Sequence, residues 1–219
     1  MGSEGRYRWE SPRHQVWLDS FEIANTPVIR RDYAQFIADT GHSEPAGWAD
    51  PRFSLADQPV VGVSWFAAIA FCEWLSAVRH ETYRLPTEAE WEKACRGGVE
   101  GAEYAWGDES PQLIEYLSSE WNGPRPVGEW RSNGYGLFNM GDNVHEWCSD
   151  WYGEAYYALS PERNPTGPEN GTRRVSRGGS WRHQIKASRA AHRSSLPPGF
   201  AYTDYGFRVV RSPQGAAAT

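Results

Sequence analysis

The chain has 219 residues, a formal net charge of −6 and an aromatic content of 14%, which suits one soluble domain with a full core. The acidic balance argues against a nucleic-acid partner, because no basic face is available to neutralise phosphates. No apolar run reaches the roughly 18 residues of a membrane helix, and the first residues, Met-Gly-Ser-Glu-Gly-Arg, do not form a signal peptide, so we expect a cytoplasmic protein without a membrane partner.

Hydrophobic periodicity predicts a strand and then a short helix near the start of the chain. Apolar and polar side chains alternate over residues 14–24, which is typical of a strand that enters the core. Ile29, Tyr33 and Phe36 then lie on one helical face. Gly41 is placed to end this helix in the left-handed conformation.

Two further helices are predicted from their capping residues. Ser64 is an N-cap candidate for a helix that runs through Val78. Residues 87–90, Thr-Glu-Ala-Glu, form a capping box that opens a shorter third helix. The glycine pair at 97–98 ends it.

Beyond Glu100 the helical periodicity disappears, and loops rich in aromatic residues, Gly, Asn and Pro follow. Only residues 173–176 and 206–211 are strand-like, and residues 213–219 form a predicted disordered tail. We therefore predict a single domain over residues 1–212. Its fold class would be α+β, loop-rich, with two to three helices and small antiparallel sheets.

The three cysteines do not have the spacing of a metal site. Cys72 and Cys95 fall on the apolar stripes of predicted helices and are expected to be buried thiols. Cys148 lies next to a cluster of polar residues, and its role stays open.

That cluster, residues 139–147, reads Asn-Met-Gly-Asp-Asn-Val-His-Glu-Trp. It places a carboxamide, two carboxylates and a histidine within a short stretch, and such oxygen atoms suit a hard cation. The glycine pair at 178–179 and Ser180 follow at a distance that lets the chain fold back beside the cluster. The alternative is that Asn139 and Glu146 only cap turns.

Seven sequence blocks in a fixed order resemble the formylglycine-generating enzyme family, also called sulfatase-modifying factors. The resemblance implies the family's variant of the C-type lectin fold, and it spans the length of the chain. The blocks are residues 58–65 (QPVVGVSW), 83–92 (YRLPTEAEWE), 106–108 (WGD), 133–140 (NGYGLFNM), 143–147 (NVHEW), 177–181 (RGGSW) and 206–208 (GFR).

The resemblance implies a structural calcium ion. Asn139 and Glu146 would supply side-chain oxygens, and Asp142 and Val144 would supply backbone carbonyls. Asp142 stands where the family usually has glycine, so its carboxylate would be an additional ligand. The family's second calcium loop corresponds to residues 118–130, which are shortened here, and we do not expect that site.

The family's copper chemistry is not expected. It depends on two cysteines shortly after the Gly-Gly-Ser block, and this chain has none there. His183 stands at the position of the first cysteine, and His145 stands where the family usually has tryptophan. These two imidazoles should meet beside Ser180, where they would bind iron(II), copper or zinc, or act as an acid–base pair, or only line the pocket. His192 fits a structural hydrogen bond better than a third ligand.

Other arginines are expected to serve the fold. Three resemble the family's structural arginines, with Asp150 and Asp204 as candidate acidic partners: Arg189, Arg193 and Arg208. Three more lie beside a predicted strand and are expected to form a solvated face: Arg173, Arg174 and Arg177.

Two functions follow from these observations. The first is a metal-dependent oxidoreductase that acts on a peptide or a small molecule, with His145, His183 and Ser180 as its site. The second is a non-catalytic, calcium-stabilised binding module of the C-type-lectin-like type, whose exposed aromatic residues contact a ligand or protein. The aromatic candidates are Trp121, Tyr156, Tyr157 and Tyr202.

Overall fold

The helices lie where their periodicity and caps predicted them. The computed structural model describes residues 1–107, 122–183 and 185–212. This part of the chain contains three α-helices: α1 (Arg30–Thr40), α2 (Trp65–Arg79) and α3 (Glu88–Arg96). None of its helices has the length and apolar character needed to cross a membrane.

Local side-chain chemistry fixes the helix ends. Gly41 ends α1 in the left-handed conformation with φ 69°. Ser64 Oγ accepts a hydrogen bond from the Ala67 amide at 3.2 Å at the start of α2. At the start of α3, Thr87 Oγ1 accepts from the Glu90 amide at 3.2 Å, and the Glu90 carboxylate accepts from the Thr87 amide at 2.8 Å. The predicted capping residues are confirmed.

Within the described residues, seven short strands form two sheets. The first sheet is antiparallel, in the order β1 (Glu22–Ile23), β7 (Val210–Arg211), β2 (Tyr83–Arg84). The second has the order β5 (Arg193–Leu196), β4 (Arg174–Arg177), β3 (His145–Trp151), β6 (Tyr205–Gly206). Its neighbours are antiparallel except β3 and β6, which are parallel.

Two strand predictions need correction. Residues 14–24 keep their alternating burial, but only Glu22–Ile23 pairs in a sheet, and Trp17 makes a single bridge to Arg163. Residues 206–211 are divided between β6 and β7, because the chain crosses there from the second sheet to the first. Phe207 is fully buried at this crossing.

Helices α1 and α2 pack on the sheets through an aromatic core. Tyr33 stacks on Phe71 with ring centroids 5.7 Å apart, and Phe207 meets Phe71 edge-on at 5.3 Å. The three cysteine thiols, Cys72, Cys95 and Cys148, are free and buried. Burial raises the pKa of the Cys148 thiol well above its ordinary value, so it is a poor thiolate source.

Buried arginines do serve the fold, but glutamates rather than aspartates are their partners. Asp150 and Asp204 are not the acidic residues that bind them. The pairs are Arg189 with Glu10, Arg193 with Glu88 and Arg208 with Glu146.

The expected solvated face of Arg173, Arg174 and Arg177 is only partly observed, because Arg173 is exposed and Arg174 is half-buried. Arg177 is fully buried and pairs with Glu92, while Arg174 lies over the ring of Trp151 at 3.5 Å. Packing of the end of this strand against α3 makes Arg177, but not Arg173 or Arg174, a core residue.

Candidate metal site at one end of the four-stranded sheet

Strand order brings three distant chain segments to one end of the second sheet. Strand β4 is antiparallel to β3, so the end of β4 lies beside the start of β3. Strand β6 is parallel to β3, so its start lies at the same end. Ser180 and His183 follow β4, His145 begins β3, and Asp204 directly precedes β6. These four side chains therefore converge.

The glycine pair after β4 allows the close approach. Gly178 has φ +76°, and a Cβ on it would lie 3.0 Å from Gly141 Cα. The Gly179 amide donates to the Gly141 carbonyl at 3.1 Å. The predicted juxtaposition of this glycine pair with residues 139–147 is thus observed.

His145 and His183 meet as expected. His145 Nε2 lies 2.9 Å from His183 Nδ1, and Ser180 Oγ lies 3.1 Å from the same His183 nitrogen. His145 is buried, whereas His183 is exposed at the rim. The pocket is therefore open to solvent on the His183 side.

Asp204 completes the cluster. Its presence there was not predicted from the sequence. Ser180 Oγ donates to Asp204 Oδ2 at 2.9 Å. One ligand atom from each of His145, His183 and Asp204 lies within 4.8 Å of the others, and among the described residues this is the one such group of three His, Cys, Asp or Glu side chains. The one sequence feature that could have indicated this role of Asp204 is its position two residues before the Gly-Phe-Arg block.

Burial keeps His145 neutral. Desolvation, and then the neighbouring His183, lower the pKa of the His145 imidazole to about 3. Tyr205 packs on this ring with centroids 4.8 Å apart. A neutral imidazole has a lone pair available for a metal at neutral pH. His192 lies elsewhere, with its Nδ1 3.7 Å from Glu10 Oε1.

The side chains proposed to bind calcium lie in a buried turn next to this pocket. Asn139 has φ 56°, its Oδ1 accepts from the Gly128 amide at 3.1 Å, and its Nδ2 donates to Asp142 Oδ2 at 3.2 Å. Asp142 Oδ1 is buried and has no hydrogen-bond partner. Burial raises the pKa of the Asp142 carboxyl to about 6. An orphaned carboxylate oxygen of this kind fits a cation.

Glu146 has stronger protein partners than expected for a calcium ligand. Its carboxylate accepts from Arg208 Nε at 2.6 Å, from Arg208 Nη2 at 2.8 Å and from Trp91 Nε1 at 2.7 Å. These donors use three of the about four lone-pair positions of a carboxylate. Val144 is fully buried in the same stretch.

Asn143 was missed as a positioning residue. Its side chain accepts from the Arg125 amide at 3.0 Å and donates to the Arg125 carbonyl at 2.9 Å. Its own carbonyl accepts from the Trp181 amide at 2.9 Å. Asn143 thus ties residues 122–130 to the segment after Ser180. The rest of the loop at 118–130 lies outside the described residues.

The expected aromatic surface is only partly present. Tyr202 is 48% exposed and Tyr156 is half-buried, but Tyr157 is buried because its hydroxyl reaches Glu88 in the core. Trp121 lies outside the described residues. Exposed Phe200 neighbours Tyr202 with centroids 6.0 Å apart.

The chain matches the sequence model of the Sulfatase-modifying factor enzyme 1-like domain over residues 1–213. It is 35% identical to the formylglycine-generating enzyme of Streptomyces coelicolor, with 92% of this chain and 81% of that protein covered. It is also 35% identical to the serine/threonine-protein kinase pkn1 of Chlamydia caviae, with 96% of this chain covered. The chain spans only 36% of that kinase's length.

Two solved structures have a similar fold. Treponema denticola variable protein 1 superposes with a TM-score of 0.84 at 27% identity, covering 97% of this chain and 91% of that one. PvdO from Pseudomonas aeruginosa superposes with a TM-score of 0.80 at 26% identity, covering 97% and 90% of the two chains.

Proposed function

Because the chain belongs to the sulfatase-modifying factor, or formylglycine-generating enzyme, family, we propose that it is a metal-dependent oxidoreductase that binds its metal through His145 and His183. The observation that carries the proposal is the approach of His145 Nε2 to His183 Nδ1 at 2.9 Å, with His145 buried and His183 exposed to solvent. Imidazole nitrogens suit iron, copper and zinc, and of these iron and copper supply redox chemistry.

The family's copper–thiolate route is not part of this proposal. No cysteine follows Cys148 in the sequence, so the segment after Ser180 has no thiol. Cys148 itself is fully buried, and its raised thiol pKa opposes the thiolate form that copper(I) requires. The pocket offers nitrogen and oxygen ligands instead.

The protein groups around the histidines have separate tasks. Buried His145 supplies a fixed, neutral nitrogen, and Tyr205 covers one side of its ring. Exposed His183 marks the side from which a peptide or small-molecule substrate approaches. Ser180 Oγ donates to Asp204 and lies within hydrogen-bond distance of His183 Nδ1, so it orients His183.

Metal content of the purified protein tests the proposal. We expect about one iron or copper ion per chain, and we expect His145→Ala and His183→Ala to abolish it. His42→Ala removes an imidazole in the loop after α1 and should leave the metal content unchanged. Calcium alone, unaffected by the two pocket substitutions, would contradict the oxidoreductase.

A non-catalytic binding module is the second candidate. Exposed Phe200 and Tyr202 beside the pocket favour it, since exposed aromatic side chains are typical of binding surfaces. In that case the histidine substitutions would leave the protein's ligand binding intact, whereas Tyr202→Ala would weaken it.

Both candidates include a structural calcium ion, which we propose at the buried turn. Asn139, Asp142, Val144 and Glu146 would hold it through side-chain and backbone oxygens, and its charge would compensate the orphaned Asp142 oxygen. The ion would order the loop that leads into His145.

A further inference from the structure

We infer that Asp204 is the third protein ligand of the pocket metal, and that His145, His183 and Asp204 form a facial set for six-coordinate iron(II). The inference rests on the proposed function, because it assumes that the histidine pair binds a redox metal. It adds the ligand that decides which metal is bound and how many positions stay open.

A six-coordinate metal fits the separation of the two histidine nitrogens. Two ligand nitrogens at about 2.1 Å from a metal are about 3.0 Å apart when the angle between them is 90°. At the tetrahedral angle the same bonds place them about 3.4 Å apart. His145 Nε2 and His183 Nδ1 are 2.9 Å apart, the length of a hydrogen bond between the rings, and this separation is close to the octahedral edge, so a metal could replace the shared proton with little movement.

Asp204 lacks the close arginine that buried Glu10, Glu88 and Glu146 each have. Glu10, Glu88 and Glu146 are each bound by an arginine through two hydrogen bonds. Asp204 is 5% exposed, accepts one hydrogen bond from Ser180, and has its nearest guanidinium nitrogen, Arg182 Nη1, 4.0 Å away. A carboxylate that stays ionised when it is buried requires a compensating cation, and the adjacent histidine nitrogens make a metal ion a suitable one.

A backbone hydrogen bond holds Asp204 beside His145. The His145 amide donates to the Asp204 carbonyl at 2.9 Å, as part of the parallel contact between β3 and β6. An Asp204 carboxylate oxygen already lies within 4.8 Å of one nitrogen of each histidine. All three ligands come from one end of the sheet, and His183 is exposed there, so solvent reaches the cluster from that side.

Such a set has a distinct chemical consequence. Two imidazoles and one carboxylate on one face are the ligands of non-haem iron(II) sites, with three positions left for water, dioxygen or substrate. A carboxylate is a hard ligand and disfavours copper(I). The pocket is therefore expected to bind iron(II) rather than copper(I).

Anaerobic titration of the chelator-treated protein with iron(II) tests the inference. We expect Asp204→Asn, which keeps the shape and the acceptor for Ser180, to weaken iron(II) binding by at least about 100-fold. Asp150→Asn is the matched control, since it neutralises a buried carboxyl outside the pocket. Circular dichroism verifies that each variant is folded.

The outcomes separate the two proposals. Wild-type iron(II) affinity in folded Asp204→Asn, together with loss in the histidine variants, would overturn the inference and leave the proposed function intact. Absence of any redox metal in the wild type would overturn the proposed function itself.

Two spectra of the wild type test the geometry without any substitution. Cobalt(II) in the pocket should give the weak absorption of a six-coordinate ion, and the iron(II) protein should bind nitric oxide with a half-integer-spin EPR signal. Intense tetrahedral cobalt bands, or no nitric oxide adduct, would overturn the inference.

Discussion

Among single residues, Asp150 carries a clear pH dependence. Burial, and then the charge of Glu88, raise the pKa of the Asp150 carboxyl from 3.8 to about 7. The folded state therefore holds this proton more tightly than the unfolded chain. Stability from this group is present below about pH 4 and is lost as pH rises through about 7. We expect the free energy of unfolding to fall by on the order of 2–4 kcal/mol across this window.

Asp150→Asn should remove most of that slope while it keeps an acceptor for the Glu88 amide. Denaturant unfolding at a series of pH values measures the effect. Asp32→Asn, an exposed substitution in α1, should leave the slope unchanged. Parallel pH profiles for the wild type and Asp150→Asn would contradict the assignment.

Asp142 is the residue through which calcium is expected to act on stability. Its unpartnered, buried oxygen would gain a cation, so calcium at about 100 times its dissociation constant should stabilise the fold by about 2.7 kcal/mol. Thermal unfolding with calcium and with chelator measures this shift. Asp142→Ala should abolish it, and exposed Asp57→Ala should not. An equal melting temperature with and without calcium in the wild type would exclude the ion.

At the scale of elements, the end of the second sheet depends on backbone contacts that admit no side chain. Gly206 in β6 has no left-handed φ, but a Cβ on it would lie 2.6 Å from the Val60 carbonyl oxygen. We expect Gly206→Ala to destabilise the fold by about 1–3 kcal/mol, because β6 must move away from Val60. Gly199→Ala meets open space and should change stability by less than about 0.5 kcal/mol. Equal effects in denaturant unfolding would contradict the steric explanation.

The same elements show what the sequence predicts and what it leaves open. Helices α1 to α3 were predictable because their caps are local: Gly41, Ser64 and Thr87 each act within their own turn. Strand β3 was not predicted, since it is buried almost continuously and so shows no alternation. Asp204 was missed as a pocket residue because the parallel pairing of β3 with β6, which local patterns do not encode, brings it to His145.

At the scale of the whole molecule, buried ion pairs join the first part of the chain to the last. Glu10 binds Arg189 across 179 residues, and Glu88 binds Arg193 across 105. Such pairs add little net stability when formed, but removal of one partner leaves a buried charge uncompensated. Arg189 directly follows the segment that carries His183. The N-terminal residues therefore help to hold one wall of the pocket.

Glu10→Gln tests this long-range connection. Burial alone would raise the pKa of the Glu10 carboxyl, but neighbouring His192 and Arg189 outweigh it and hold that pKa at about 2. The contribution of ionised Glu10 to the free energy of unfolding is thus complete above pH 4.5 and is lost as pH falls toward 2. At neutral pH we expect Glu10→Gln to cost about 3 kcal/mol or more, since Arg189 stays buried without its partner.

Hydrogen exchange should show where the effect of Glu10→Gln is felt. Amides of residues 185–192 should lose protection together with those around residue 10, because the two segments are held by the same pair. Glu103→Gln breaks the exposed pair with Arg6, whose side chains are about half exposed, and should cost less than about 1 kcal/mol. If only the N-terminal amides lost protection in Glu10→Gln, the N-terminal segment would be a passive cover, and the wall that carries His183 would be held by the sheet alone.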